Sequence, residues 1–216
     1  MPFVFANVRS GDRDVDGLLA SYRWAETELT YSFPVRQENY GADYGASEEP
    51  SQGFSPLTAA QQTAVVDVLK GFSAVANLSF TQVSGGAGDL RFGLTDATSA
   101  AHAYLPYWDN RSGDSWYASS GLEDPVKGSY AYFAFLHEIG HAVGLKHAHE
   151  DEAFGTVSRD RDAMEYTAMT YRSYVGAEAT GFTNEQFGFA QSLMMYDIAA
   201  LQHMYGANFE TNSGNS

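Results

Sequence analysis

A chain of 216 residues with 44% hydrophobic content is long enough for one domain, or two lobes sharing a cleft, around a substantial core. Twelve Lys plus Arg against 27 Asp plus Glu give a formal net charge of -15, which excludes nucleic acid and anionic membrane surfaces as partners by repulsion. The absence of cysteine removes disulfides and thiolate ligands, and no stretch reaches the length of a membrane span.

In chain order, Met1 to Val8 lacks the basic leader and long apolar run of a secretory signal. Asp12, Asp14 and Asp16 alternate before Gly17 like the start of a calcium loop, but Arg23 stands where the closing glutamate belongs. A solvated acidic turn is therefore expected, and calcium is not supported by the residues present. Thr27 to Phe33 alternates, with Leu29, Tyr31 and Phe33 on one face, and reads as a first strand ended by Pro34. A polar loop is expected from 37 to 55. Thr58 and Gln61 form a capping box, after which Ala64, Val65, Val68, Leu69, Phe72, Val75 and Ala76 recur at the spacing of a helix packed on a sheet.

Four more alternating runs follow: 78 to 83, 90 to 94, 101 to 105 and 115 to 118. Together they predict an α/β (α+β) fold with a twisted mixed five-stranded sheet. Asp109 to Asp114 carries oxygen ligands, but its Asp, Asn, Ser and Gly are also turn formers, and a turn is expected. A last helix, about 193 to 205, ends at Gly206, and Met194, Met195 and Met204 read as core filling. His102 and His203 lack ligand spacing and read as structural or surface residues.

The stretch Phe135-Leu-His-Glu-Ile-Gly-His-Ala-Val-Gly-Leu-Lys-His147 carries the chemistry. On a helix, His137 and His141 lie one turn apart on a wet face, while Phe135, Ile139, Ala142 and Val143 form a dry one. Gly144 can end the helix in a left-handed turn that brings His147 to the same metal. Three neutral imidazoles leave a fourth position for water, as in a catalytic zinc site, and Glu138 stands beside them as a candidate base. His149 could compete with His147 as third ligand, but it needs a different return path; it is expected to line the cleft instead.

The extended H-E-x-x-H-x-x-G-x-x-H motif, with Met169 following in Thr-Ala-Met-Thr-Tyr171, resembles the metzincin zinc endopeptidases. Met169 with Tyr171 and the segment Gln191 to Asn208 is similar to the serralysins, from about Leu18 to Asn208. The resemblance implies a two-lobed catalytic domain over 1–208, with an upper lobe of about 1–144, a lower lobe of about 145–208 and a polar tail at 209–216. It implies Zn2+ held by His137, His141 and His147, with Tyr171 as a further ligand that swings to the oxyanion, and Met169 as the floor under the metal. It also implies that 101–105 is an antiparallel edge strand whose Ala103 and Tyr104 bind substrate through the main chain.

The implied activity is zinc-dependent endopeptidase hydrolysis of extended polypeptides by a secreted, extracellular monomer, with a small proteinaceous inhibitor as a second partner. The calcium-binding repeats usual in serralysins are not in this sequence. The chain also departs from the pattern after the third histidine, where it has Ala148 and then His149 and the nearest analogue has proline directly after that histidine. A non-catalytic zinc-containing peptide- or inhibitor-binding module is the alternative, and Glu138 argues against it.

Overall fold

The computed structural model describes residues 3–44 and 48–210. In chain order the elements are β1 (Val4–Ala6), α1 (Arg13–Asp16), β2 (Tyr22–Trp24), β3 (Glu28–Ser32), α2 (Ala59–Val75), β4 (Ser79–Gln82), β5 (Leu90–Thr95), β6 (Ala101–Ala103), β7 (Asp114–Ala118), α3 (Tyr130–Ala142) and α4 (Met195–Tyr205). Short 3-10 turns occupy Gln37–Tyr40, Ala42–Tyr44 and Glu49–Ser51.

Five strands form one mixed sheet in the order β4-β3-β5-β7-β6. All neighbours are parallel except β6, which pairs antiparallel with β7 and forms an edge. The two strands inside that edge, β5 and β7, are almost wholly buried, as parallel strands covered on both faces must be. The capping box at Thr58 forms as expected, and α2 buries Ala64, Val65, Val68, Leu69 and Phe72. Beside it, α3 packs on β7, with Tyr117 stacked on Phe135 at 4.1 Å between ring centroids.

Four expectations change. Helix α3 has no wet face, because all its residues from Ala131 to Ala142 are buried; the histidines open only into an interior cleft. The acidic turn is only partly solvated: exposed Asp12 caps α1, while Asp16 is buried and accepts from the Ser10 amide (2.6 Å) and hydroxyl (2.8 Å). The polar loop is a packed flap whose Tyr40 and Tyr44 cover Trp116. Met204 is core, but Met195 is exposed.

The small sheet of β1 and β2 has no counterpart in the sequence reading, since three-residue strands give too few alternations to detect. It positions Trp24, whose Nε1 donates to the Ala142 carbonyl at 2.8 Å, while the Tyr205 hydroxyl donates to the Val143 carbonyl at 2.6 Å. Carbonyls left over at the end of α3 are thus satisfied by side chains from β2 and α4. From 147 to 194 the described chain contains turns and isolated bridges but neither helix nor strand. Buried carboxylates hold it: Asp162 accepts from Thr170 (2.5 Å) and Arg172 (2.9 Å), and Asp197 from Thr167 (2.5 Å) and the Ala168 amide (2.8 Å). The expected tail at 209–216 lies outside the described residues beyond Glu210.

Candidate metal centre

Helix α3 sets His137 and His141 on one face, and its end decides the third histidine. Gly144 has φ +106°, a conformation that a side chain would strain, and a Cβ there would approach the Tyr22 carbonyl at 3.1 Å. Beyond it the chain doubles back along residues 18–20, through Ala20 N–H to Gly144 O (3.0 Å) and Lys146 N–H to Leu18 O (2.8 Å). This return carries His147 to the two helical histidines.

The three Nε2 atoms converge at 3.2 Å (His141 to His137), 3.0 Å (His141 to His147) and 3.1 Å (His147 to His137). These contacts are not hydrogen bonds. His137 Nδ1 lies 2.7 Å from the Ala168 carbonyl and His141 Nδ1 2.8 Å from the Leu145 carbonyl, and a carbonyl only accepts, so each Nδ1 carries the proton. His147 Nδ1 lies 2.7 Å from Glu150 Oε1 and donates likewise. Three lone pairs therefore face one another with no proton between them. Tetrahedral zinc with nitrogens at about 2.0–2.1 Å puts them about 3.3 Å apart, so the group fits a metal. Burial lowers all three imidazole pKa values, His137 to about 3, which keeps them neutral as ligands.

Glu138, buried beside them, is pushed up to about 8 by desolvation, and its Oε2 has no hydrogen-bond partner within the described protein. Tyr171 stands over the group, its ring centroid 4.5 Å from that of His147 and 5.9 Å from that of His137. Burial, then Glu138 and Glu150, push its phenol up to about 12, so it is a donor at neutral pH. Below, Met169 is fully buried, and its Sδ lies 2.6 Å from where a Cβ on Gly140 would be. Gly140 is therefore glycine because the methionine occupies its side-chain space, a constraint that the motif spacing alone did not reveal.

The chain matches the model of the reprolysin-like metallopeptidase family M12B over residues 13–195. It belongs to that family. Among its relatives, the metallopeptidase AprA of Pseudomonas marginalis is 30% identical over 94% of this chain and 44% of its own length. Serralysin C of Dickeya chrysanthemi is 35% identical over 76% of this chain and 37% of its own, and serralysin of Proteus mirabilis 31% identical over 87% and 41%. This metallopeptidase domain thus spans less than half the length of these relatives.

The remaining expected site residues divide. Antiparallel pairing alternates, and the bonds Ala118 N–H to Ala100 O (2.7 Å) and Tyr104 N–H to Asp114 O (2.9 Å) turn residues 100, 102 and 104 inward. Ala101 and Ala103 therefore face their main chain to the free edge. Tyr104 does not, and its phenol donates to Glu49 Oε1 at 2.6 Å. His102 Nε2 meets the same oxygen at 2.6 Å, a structural role as expected. His149 stacks 5.4 Å from His147 and 5.0 Å from Tyr171 without joining the three nitrogens.

Sequence reasoning missed Glu150 as the partner of His147. It also missed Lys146, which is buried and donates to the carbonyls of Gly17 (2.6 Å), Glu150 (2.7 Å) and Gly155 (2.9 Å), fixing the turn after the third histidine. A lysine beside a ligand gives no sequence signal of burial.

Proposed function

We propose that this domain is a zinc-dependent endopeptidase acting on extended polypeptides, with the metal held by His137, His141 and His147. The observation that carries the reading is the convergence of three unprotonated Nε2 atoms beside the unpartnered Oε2 of Glu138. Bound zinc would polarise the scissile carbonyl and lower the pKa of a water to about 7. The charge of a bound zinc would offset the desolvation that raises the Glu138 pKa and favour its carboxylate, whose Oε2 takes the proton of the attacking water and passes it to the leaving amide nitrogen. Tyr171 would be a further residue holding the metal at rest, and its phenol, protonated at neutral pH, would donate to the developing oxyanion. Met169 and Gly140 keep the floor dry.

The substrate lies as an added strand along β6, bonded to Ala101 and Ala103. A cavity of about 400 Å³ beside the histidines, lined by Tyr130, Phe133, Phe182 and Ala134, suits a large apolar side chain next to the cleaved bond. The metal lies between an upper lobe of residues up to 144 and a lower lobe from 145. Secretion follows the serralysin resemblance. The test is to strip the protein with a chelator and restore one equivalent of Zn2+. Cleavage of unfolded casein should vanish and return; a metal-loaded protein that only binds the chain would instead favour a peptide-capturing module.

A further inference from the structure

Three cavities line up along β6. The one beside Phe133 and Phe182 shares Ala101, Glu138 and Tyr171 with a cavity of about 240 Å³ over the histidines. That one in turn shares Leu105, Lys146 and Glu152 with a third, of about 400 Å³, past the C-terminal end of the strand. The third cavity has no part in the chemistry proposed above.

Tyr22, Tyr104 and Tyr107 line it, and Trp108, outside the lining, packs against two of them. Tyr22, Tyr107 and Trp108 pack edge to face, with ring centroids 5.5 Å (Tyr22 to Tyr107), 4.6 Å (Tyr22 to Trp108) and 5.5 Å (Tyr107 to Trp108) apart. Yet Tyr107 remains 51% and Trp108 50% exposed. Their loop is held, with Tyr107 N–H donating to Ser112 Oγ at 2.8 Å, so the rings are already ordered and a ligand need not fix them. The cations nearby are spent: Arg111 pairs with Asp109 at 3.1 Å and lies 4.9 Å over the Tyr104 ring, and the Lys146 ammonium is taken up by carbonyls; the exposed Glu152 carboxylate also lines the cavity. An uncharged, flat or bulky group is what such a wall accepts.

We infer that the cavity walled by Tyr22, Tyr104 and Tyr107 is a substrate subsite for an aromatic or large aliphatic side chain. A peptide laid antiparallel to β6 puts there a residue about three or four positions before the scissile bond, at one peptide residue per rail residue. The subsite rests on the peptidase reading and adds a second apolar anchor, on the far side of the metal from the first.

The test uses ten-residue peptides identical except for Phe or Ala at one position, scanned on both sides of a fixed cleavage site. Values of kcat/KM are measured with the zinc-loaded protein and Kd with its Glu138→Gln variant. Phe is expected to win about tenfold at one position three or four residues upstream. Tyr107→Ser should bring the ratio to about one, with metal content and the melting curve unchanged. Equal use of Phe and Ala upstream, a preference found only downstream, or one that survives the Tyr107 substitution overturns the subsite while leaving the peptidase standing. Binding with the same preference but without cleavage overturns the peptidase and keeps the subsite. Neither binding nor cleavage overturns both.

Discussion

Glu138, above the metal position, and Asp197, below it, are both buried carboxylates, but they are treated in opposite ways. Asp197 accepts from the Thr167 hydroxyl and from the amides of Ala168 and Met194 at 2.5, 2.8 and 2.8 Å, while Glu138 Oε2 accepts nothing. Burial raises both pKa values, but the hydrogen bonds pull Asp197 back to about 6, whereas nothing opposes the rise of Glu138 to about 8. A buried carboxylate with every partner internal holds the fold; one left without a partner is kept for a group from outside.

Substitution should separate the two most sharply at Glu138. Glu138→Gln is expected to cut peptide cleavage by about 10²–10⁴-fold with metal content unchanged by atomic absorption; a small loss would remove the distinction. Asp197→Ala leaves a hydroxyl and two amides beneath Met169 without an acceptor. Urea unfolding should show a loss on the order of 3 kcal/mol, and full stability would mean that the turn does not depend on this carboxylate.

Glu150 stands between the two extremes, since its partner is His147, the third histidine. Glu150→Gln weakens an acceptor that orients the ring, so zinc affinity by chelator competition should fall about 10–100-fold, with little change in melting of the metal-free protein. The smallest effect concerns Glu49, which ties the Tyr40–Tyr44 flap to β6. Burial pushes its pKa up, but hydrogen bonds from His102 and Tyr104 outweigh that and leave it below the ordinary glutamate value. A depressed carboxylate stabilises above its unfolded pKa and loses that contribution as pH falls through the folded one. Stability measured from pH 6 down to pH 3 should therefore drop less steeply in Glu49→Gln.

Much of the sheet and its helices was legible because each element carries its own period. The capping box at Thr58 and the alternation of Leu29, Tyr31 and Phe33 are local signals, and they appear in place as α2 and β3. The flap was not legible: Tyr40 and Tyr44 look like loop residues until Trp116, more than 70 positions away, is brought beneath them. Likewise Met195 reads as core by type and is exposed by position.

By itself the sequence determined which three histidines come together. Helical geometry fixes the spacing of His137 and His141, and only glycine turns easily where Gly144 does, so the grouping of the three histidines follows from covalent structure and backbone sterics. Tertiary structure decided which groups are left unspent. Whether Glu138 has a partner, whether Tyr104 or Ala103 faces the free edge, and whether Tyr107 and Trp108 stay exposed depend on contacts between distant segments. Such contacts carry no period that a sequence could display.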